Sequence, residues 1–317
     1  MTLPARPTEF DARFLYFRMV GTKVTTFCDF NLQQPSAVSP SASAISLSVV
    51  PPSGVSPPAV SPPGVSPPVS TDSFAAAPTN VSLSGSAPLG ISRSWIITER
   101  LSEEAVYLTQ EDADDGCGSP MTVGKFLCHL EEDPTQIAFM RVYYQIPITG
   151  TEHAPPATRT QQVQPDEVCG EIEAFKLLMS QGCCSVPRLL GYCEKKQGEH
   201  DLVPGGYVKY IVWEKVPGEP LTEDFFWSLD PHKRKDIRAK FRDAFEEMLR
   251  CGVKPQESRI SKIIYDQSSG NIRISGFRRG WPIRDKLPWS DTHYVAYMLA
   301  NPPDKSDWPT RPGEWEL

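Results

Sequence analysis

The chain has 317 residues and a formal net charge of −7, enough length for one two-lobed domain or two smaller domains. The acidic balance makes nucleic acid and anionic membranes poor partners, and every apolar run is too short to span a bilayer. No basic segment followed by an apolar stretch opens the chain, so we expect a cytoplasmic or nuclear protein that binds neither nucleic acid nor membrane.

The cysteines and histidines do not follow a metal-ligand pattern. The eight cysteines are scattered, with one Cys183-Cys184 doublet and no CxxC pair, and the five histidines show no ligand spacing. We therefore expect reduced thiols, no metal site and no bound cofactor. ATP is the single cofactor that remains an open alternative.

Residues 1–32 contain two apolar, aromatic stretches, at 14–17 and 24–27. A break at Gly21-Thr22 separates them and predicts a hairpin, although the turn lacks the favoured two-residue chemistry. The pattern does not indicate where this segment docks.

Residues 33–92 form a Pro/Ser-rich stretch that holds twelve of the 32 prolines and a single charged residue, Asp72. A pentapeptide repeat, GVSPP-AVSPP-GVSPP, covers residues 54–68. Paired prolines at this period favour extended polyproline II segments and predict a disordered linker. Either a flexible spacer or a docking and phosphorylation tail fits this composition. Four serines precede proline: Ser39, Ser56, Ser61 and Ser66.

Ordered sequence resumes near Trp95, and its first elements are strands and one helix. Residues 95–110 alternate as expected of a strand pair, and residues 137–146 predict a buried strand. Apolar side chains at helical spacing predict a helix over 166–180, and residues 207–213 predict a further strand.

The clearest predicted helix begins directly after Asp230, a favoured N-cap residue, with Pro231 at the first helical position. Its apolar residues fall on one face, and Gly252 ends it. Two short strands follow, near 263–265 and 272–275, with a Ser-Ser-Gly turn between them. These residues predict a β-hairpin that follows the helix in the chain.

The predicted order is strand pair, strand, helix, strand, hinge, long helix, loop and hairpin, which is the order of elements in the kinase fold. We therefore predict an α+β, two-lobed protein-kinase-like fold. Its N-lobe would cover residues 93–215, and a compact C-lobe would cover residues 216–317.

Four segments resemble a known family: Ala138-Phe139-Met140-Arg141, the helix containing Glu171, residues 203–218, and residues 252–277. They resemble, in that order, the strand with the phosphate-binding lysine, the helix whose glutamate pairs with it, the inter-lobe hinge, and the catalytic loop with the metal-binding turn. The chain thus resembles the protein-kinase-like proteins abundant in filamentous fungi, which are similar to aminoglycoside phosphotransferases.

The resemblance implies which positions carry chemistry, and most of them are replaced. Arg141 stands at the lysine position, and Glu171 stands at its partner position. The base motif aligns its histidine, aspartate and asparagine with Pro255, Glu257 and Lys262. The metal-binding aspartate aligns with Gly276. In place of a glycine-rich loop, the first strand carries Glu103 and Glu104 where phosphates would lie.

These replacements argue together against phosphotransfer. Mg²⁺ would lose both of its side-chain ligands, and a metal contributes several kcal/mol to charge stabilisation. A longer base without a supporting histidine puts at risk most of the roughly 10²- to 10⁴-fold that such groups supply. We therefore predict an inactive, pseudokinase-type module that binds or regulates protein partners.

Three alternatives remain. A slow or atypical phosphotransferase, acting on a small molecule or a protein, would use Glu257 as its base. In the second alternative, a cationic cleft lined by Arg141, Glu214, Val216 and Lys262 would hold a phosphate or nucleotide without metal, because Lys262 places a cation where metal would sit. Four further arginines would add positive charge to this cleft: Arg273, Arg278, Arg279 and Arg284. In the third alternative, the chain is a decayed gene product with no retained role.

Overall fold

The structure is a computed structural model and describes residues 14–28, 90–165, 169–283 and 287–317. Of the Pro/Ser-rich linker predicted over residues 33–92, residues 33–89 lie outside the described residues. Its last residues belong to a long strand that starts at Ile91. No helix among the described residues is long and apolar enough to cross a membrane.

The architecture is α+β, and its largest element is a closed sheet of six antiparallel strands. The strands are β1 (Lys23–Cys28), β2 (Ile91–Val106), β3 (Met121–Leu130), β4 (Ile137–Gln145), β5 (Leu189–Lys196) and β6 (Tyr207–Glu214). Their order around the sheet is β1-β2-β3-β4-β6-β5, and β1 completes the circuit by pairing with both β2 and β5.

The remaining described elements are short apart from two helices. The helices are α1 (Tyr16–Met19), α2 (Gln110–Asp114), α3 (Pro156–Thr160), α4 (Gly170–Ser180), α5 (Glu223–Ser228), α6 (Pro231–Arg250) and α7 (Thr292–Ala296). The strands are β7 (Glu219–Pro220), β8 (Val253–Lys254), β9 (Ile263–Asp266), β10 (Asn271–Ile274) and β11 (Trp281–Pro282).

Two hydrophobic cores stabilise these elements. The first fills the closed sheet, with Trp95, Phe126 and Met140 almost completely buried. The second joins α4 and α6 to β8, β9 and β10, and Phe241 lies at its centre against Tyr297. The elements that carry the predicted kinase positions pack partly in the first core and partly in the second.

The predicted hairpin in residues 1–32 is wrong for the part that the structure describes. The first apolar stretch contributes α1, and only the second is a strand, β1. A helical turn directs Leu15 into the sheet interior, while alternation in β1 buries Val24, Thr26 and Cys28. The partner of β1 is therefore β2, far along the chain, and not the preceding residues.

The predicted strand pair at 95–110 is also wrong, because β2 runs through this segment as one strand of 16 residues. No turn residue interrupts the alternation, and two irregularities in the pairing with β3 let the strand bend. The chain then enters α2, whose N-cap Thr109 forms a capping box with Asp112.

The local predictions from residue 137 onward are confirmed. Strands β4 and β6 match the predicted segments within a residue, and β9 pairs with β10 as the predicted hairpin. Asp230 accepts a hydrogen bond from the Lys233 backbone N–H (3.0 Å), and α6 ends before Gly252, whose φ is +77°. The helix predicted over 166–180 is confirmed only from Gly170, because Cys169 is its N-cap residue and has an extended backbone. Residues 166–168 lie outside the described residues.

Candidate functional site

A cavity of about 180 Å³ lies where β3, β4, β6 and α4 meet the chain segments 215–220, 261–264 and 275–277. Charged and aromatic side chains line it together. All four residues predicted for a nucleotide cleft reach this cavity: Arg141, Glu214, Val216 and Lys262.

Arg141 and Glu171 form a buried ion pair at one wall of the cavity. The Arg141 guanidinium donates to Glu171 Oε1, and the Tyr143 hydroxyl donates to Glu171 Oε2 at 2.6 Å. Burial disfavours the charged form of Arg141, but the adjacent Glu171 carboxylate outweighs it and holds the pKa of Arg141 above its usual value. Arg141 also lies over the Trp213 ring, 5.0 Å from its centroid. Both carboxylate oxygens of Glu171 are thus engaged.

Glu257, at the predicted base position, is also engaged by cations. Its carboxylate lies 3.3 Å from Lys262 Nζ and 3.9 Å from Arg279 Nε. Partial burial raises the pKa of Glu257, but Lys262 and Arg279 outweigh it, so the pKa lies below its usual value. A carboxylate in this state is a weaker proton acceptor than a free one.

Lys262 occupies the space beside Gly276 that a larger residue would need. A Cβ at position 276 would lie 2.6 Å from Lys262 Cδ and 3.1 Å from Cε. The φ of Gly276 is +97°, a conformation that favours glycine. The aliphatic stem of Lys262 therefore packs against Gly276, and a side chain at position 276 could enter only if Lys262 moved.

The residues present do not fit a magnesium-bound nucleotide. Position 262 holds a cation and position 276 holds no side chain, whereas Mg²⁺ takes oxygen ligands. Among the described residues, no three His, Cys, Asp or Glu side chains group as a metal site. Pro255 stands at the position that the family resemblance assigns to the histidine of the base motif. It directly follows β8 in the chain, is buried and does not line the cavity.

Neither Glu103 nor Glu104 lines the cavity, contrary to the prediction that both lie where phosphates would bind. Glu103 points inward from β2, where it accepts hydrogen bonds from the Leu15 backbone N–H (3.1 Å) and the Thr122 hydroxyl (3.0 Å). Glu104 pairs with Arg278, which lowers the pKa of Glu104 through their hydrogen bond and charge. Side chains alternate across a strand, so neighbouring residues cannot share one face.

The predicted arginine cluster does not supply charge to the cavity. Arg278 pairs with Glu104, Arg279 lies beside Glu257, and Arg273 donates to the Ile272 carbonyl. None of these three lines the cavity, and Arg284 lies outside the described residues.

Sequence reasoning missed three residues that shape the cavity. Phe139 and Trp213 face each other with ring centroids 5.9 Å apart, and Lys125 Nζ lies 4.0 Å from the Phe139 ring centroid. Lys125 stands opposite Arg141 in the β3–β4 pairing. This strand pairing is the signal that would have found it, and it is not apparent from spacing along the chain.

Comparison with known proteins finds likeness among solved structures but not among sequence families. No protein-family model and no curated protein matches the chain. Among solved structures, the kinase PK-1 of Cydia pomonella granulovirus is similar, with 10% sequence identity and a TM-score of 0.37. The match covers 62% of this chain and 55% of that kinase, about half of its length. The proposals that follow rest on the contacts within this chain and not on this likeness.

Proposed function

We propose that the chain is a kinase-like module that does not transfer phosphate and acts by binding protein partners. In this proposal the closed sheet with α4 is the N-lobe, and the second core is a compact C-lobe. The order of β4, α4, β6, α6, β9 and β10 supports this assignment. So does the ion pair between Arg141 and Glu171, at the two positions that the family resemblance implies.

The fit of Lys262 against Gly276 is the observation that carries the proposal. A phosphotransfer site needs two oxygen ligands for its metal here, and the chain offers an ammonium group and an absent side chain. An aspartate side chain at position 276 would start 2.6 Å from Lys262 Cδ, so Lys262 would have to move before that ligand could be restored. A lysine packed on a glycine at these two positions therefore favours a metal-free cleft.

The size of the cavity supports the same proposal. Ligand pockets commonly enclose roughly 300–1,000 Å³, and this cavity encloses about 180 Å³. Phe139 and Trp213, which are opposite each other in the β4–β6 pairing, line the cavity with ring centroids 5.9 Å apart.

We expect the purified chain to release no ADP above background from ATP with Mg²⁺, and its unfolding temperature to stay unchanged by that mixture. The alternative phosphotransferase depends on Glu257, so Glu257→Gln is the matched variant. ADP release that Glu257→Gln abolishes would overturn the proposal and establish the alternative. Release that persists in Glu257→Gln would indicate a contaminating enzyme.

Restoring the metal-binding aspartate alone is expected to destabilise the chain. Gly276→Asp places a Cβ against Lys262 in a positive-φ conformation, and such strain costs on the order of 1–3 kcal/mol. Adding Lys262→Asn should recover the part of this loss that comes from the clash. Denaturant unfolding of the two variants measures both effects, and equal stability of Gly276→Asp and the parent chain would contradict the fit.

A further inference from the structure

Lys125 is a cation at the cavity without a carboxylate partner. Within the part of the chain that the structure describes, no carboxylate lies within salt-bridge distance of its ammonium group. Burial, together with the charges of Arg141 and Lys262 and against the opposing effect of Glu171, lowers the pKa of Lys125 to about 8. The nearest cations thus repel Lys125, and its contact with the Phe139 face does not neutralise it.

Four other charged groups that line the cavity have partners: Arg141, Glu171, Glu214 and Lys262. Arg141 pairs with Glu171, Lys262 pairs with Glu257, and Arg188 forms two hydrogen bonds to Glu214. Lys215 and Glu219 also line the cavity and carry opposite charges. Lys125 therefore represents an excess positive charge on this wall, which an anion entering from solvent would neutralise.

The walls beside Lys125 are aromatic and favour a flat group. Trp213 lies between Phe139 and Phe175, at ring-centroid distances of 5.9 Å and 6.3 Å. Phe277 closes the inner end against Phe175, with ring centroids 5.3 Å apart. The volume of about 180 Å³ lies below the roughly 300–1,000 Å³ of common ligand pockets, so a ligand with one ring and one anionic group suits this cavity better than a full nucleotide.

We infer that this cavity binds a small aromatic anion without metal, with its ring against Phe139 and Trp213 and its carboxylate or phosphate on Lys125. This inference rests on the proposed function, because the cavity is available to such a ligand only if it does not hold a magnesium-bound nucleotide. Lys125 binds the anion directly, and Arg141 keeps its structural pairing with Glu171. The module would then report the presence of a small metabolite to its partners.

Calorimetric titration of the full chain with phenyl phosphate in EDTA tests the inference. We expect saturable binding, weaker binding of inorganic phosphate, which lacks the ring, and weaker binding of phenol, which lacks the charge. Lys125→Met should weaken phenyl phosphate binding about 10- to 100-fold, the usual effect of removing a charged hydrogen-bond partner. Lys125→Arg should retain most of the affinity, and Lys23→Met is the matched control, because Lys23 lies on β1 paired with Glu131.

The pH profile separates a binding role from a packing role. Lys125 loses its proton as the pH rises through about 8, so affinity should fall across that range, and the fall should be absent in Lys125→Met. The comparison starts at about pH 7, because the phosphate of the ligand is itself protonated below about pH 6. No binding by the parent chain, equal binding by Lys125→Met, or inorganic phosphate binding as tightly as phenyl phosphate would overturn the inference. These titrations contain no ATP, so their failure is distinct from ADP release, which would overturn the proposed function instead.

Discussion

Removal of residues 1–28 is expected to abolish folding of the closed sheet. Strand β1 lies between β2 and β5, and its loss would leave two unpaired sheet edges. Leu15 and Val24 would leave the interior, and burying each such side chain contributes about 1.5–3 kcal/mol. The buried Trp95 indole N–H would also lose its acceptor, the Thr26 hydroxyl at 3.1 Å. Together these losses approach the roughly 5–15 kcal/mol that separates folded from unfolded domains.

A matched variant tests whether β1, and not chain length, is responsible. Cys28 stands opposite Ile91 in the β1–β2 pairing, so the two strands can be joined directly. Replacing residues 29–89 by a Gly/Ser turn of about four residues should leave the cooperative unfolding transition unchanged. Circular dichroism and thermal unfolding of both variants give the comparison. A truncated chain that unfolds cooperatively at the parent temperature would show that β1 is dispensable.

Breaking the ion pair at the cavity should have the next largest effect. Glu171→Leu leaves Arg141 as a buried cation without its counter-charge, and such changes cost about 3–5 kcal/mol of unfolding free energy. Arg141→Met should be destabilising for the same reason. The double variant Arg141→Met/Glu171→Leu should recover at least half of the loss, because replacing both members of a buried pair with apolar groups is often neutral.

Denaturant unfolding of the parent, the two single variants and the double variant gives the coupling energy directly. The loss that remains in the double variant should be about 1 kcal/mol, from the Tyr143 hydroxyl that donates to Glu171. Lys23→Met is the control, since its pair with Glu131 is exposed and worth about 0–1 kcal/mol. Additive effects in the cycle would show that the pair is not a unit.

A stability role for this pair bears on the proposed function. If Arg141 is held by Glu171, Tyr143 and Trp213, it is not free to contact a phosphate. The pair that resembles a catalytic one would then serve the packing of α4 on β4. Lys125, on the neighbouring strand β3, lines the cavity and has no ion pair within the part of the chain that the structure describes.

The sequence by itself determined the local elements and the positions to compare. Helix α6, the β9–β10 hairpin and strands β4 and β6 follow from caps, periodicity and turn residues within each segment. The alignment of Arg141, Glu171, Lys262 and Gly276 also needed only residue order. Local propensity and spacing carry this information, so no long-range contact was required to obtain it.

Only the tertiary structure decided which distant residues meet. The partner of β1 is β2, beyond residues 29–89, and no local pattern identifies a pairing across that separation. Glu103 turns inward and Lys125 turns toward the cavity because the register of the strands assigns each side chain to a face. The contact of Lys262 with Gly276 likewise depends on how the loop before β9 folds against the turn after β10. Register and loop packing are set by long-range contacts, which is why they had to be observed.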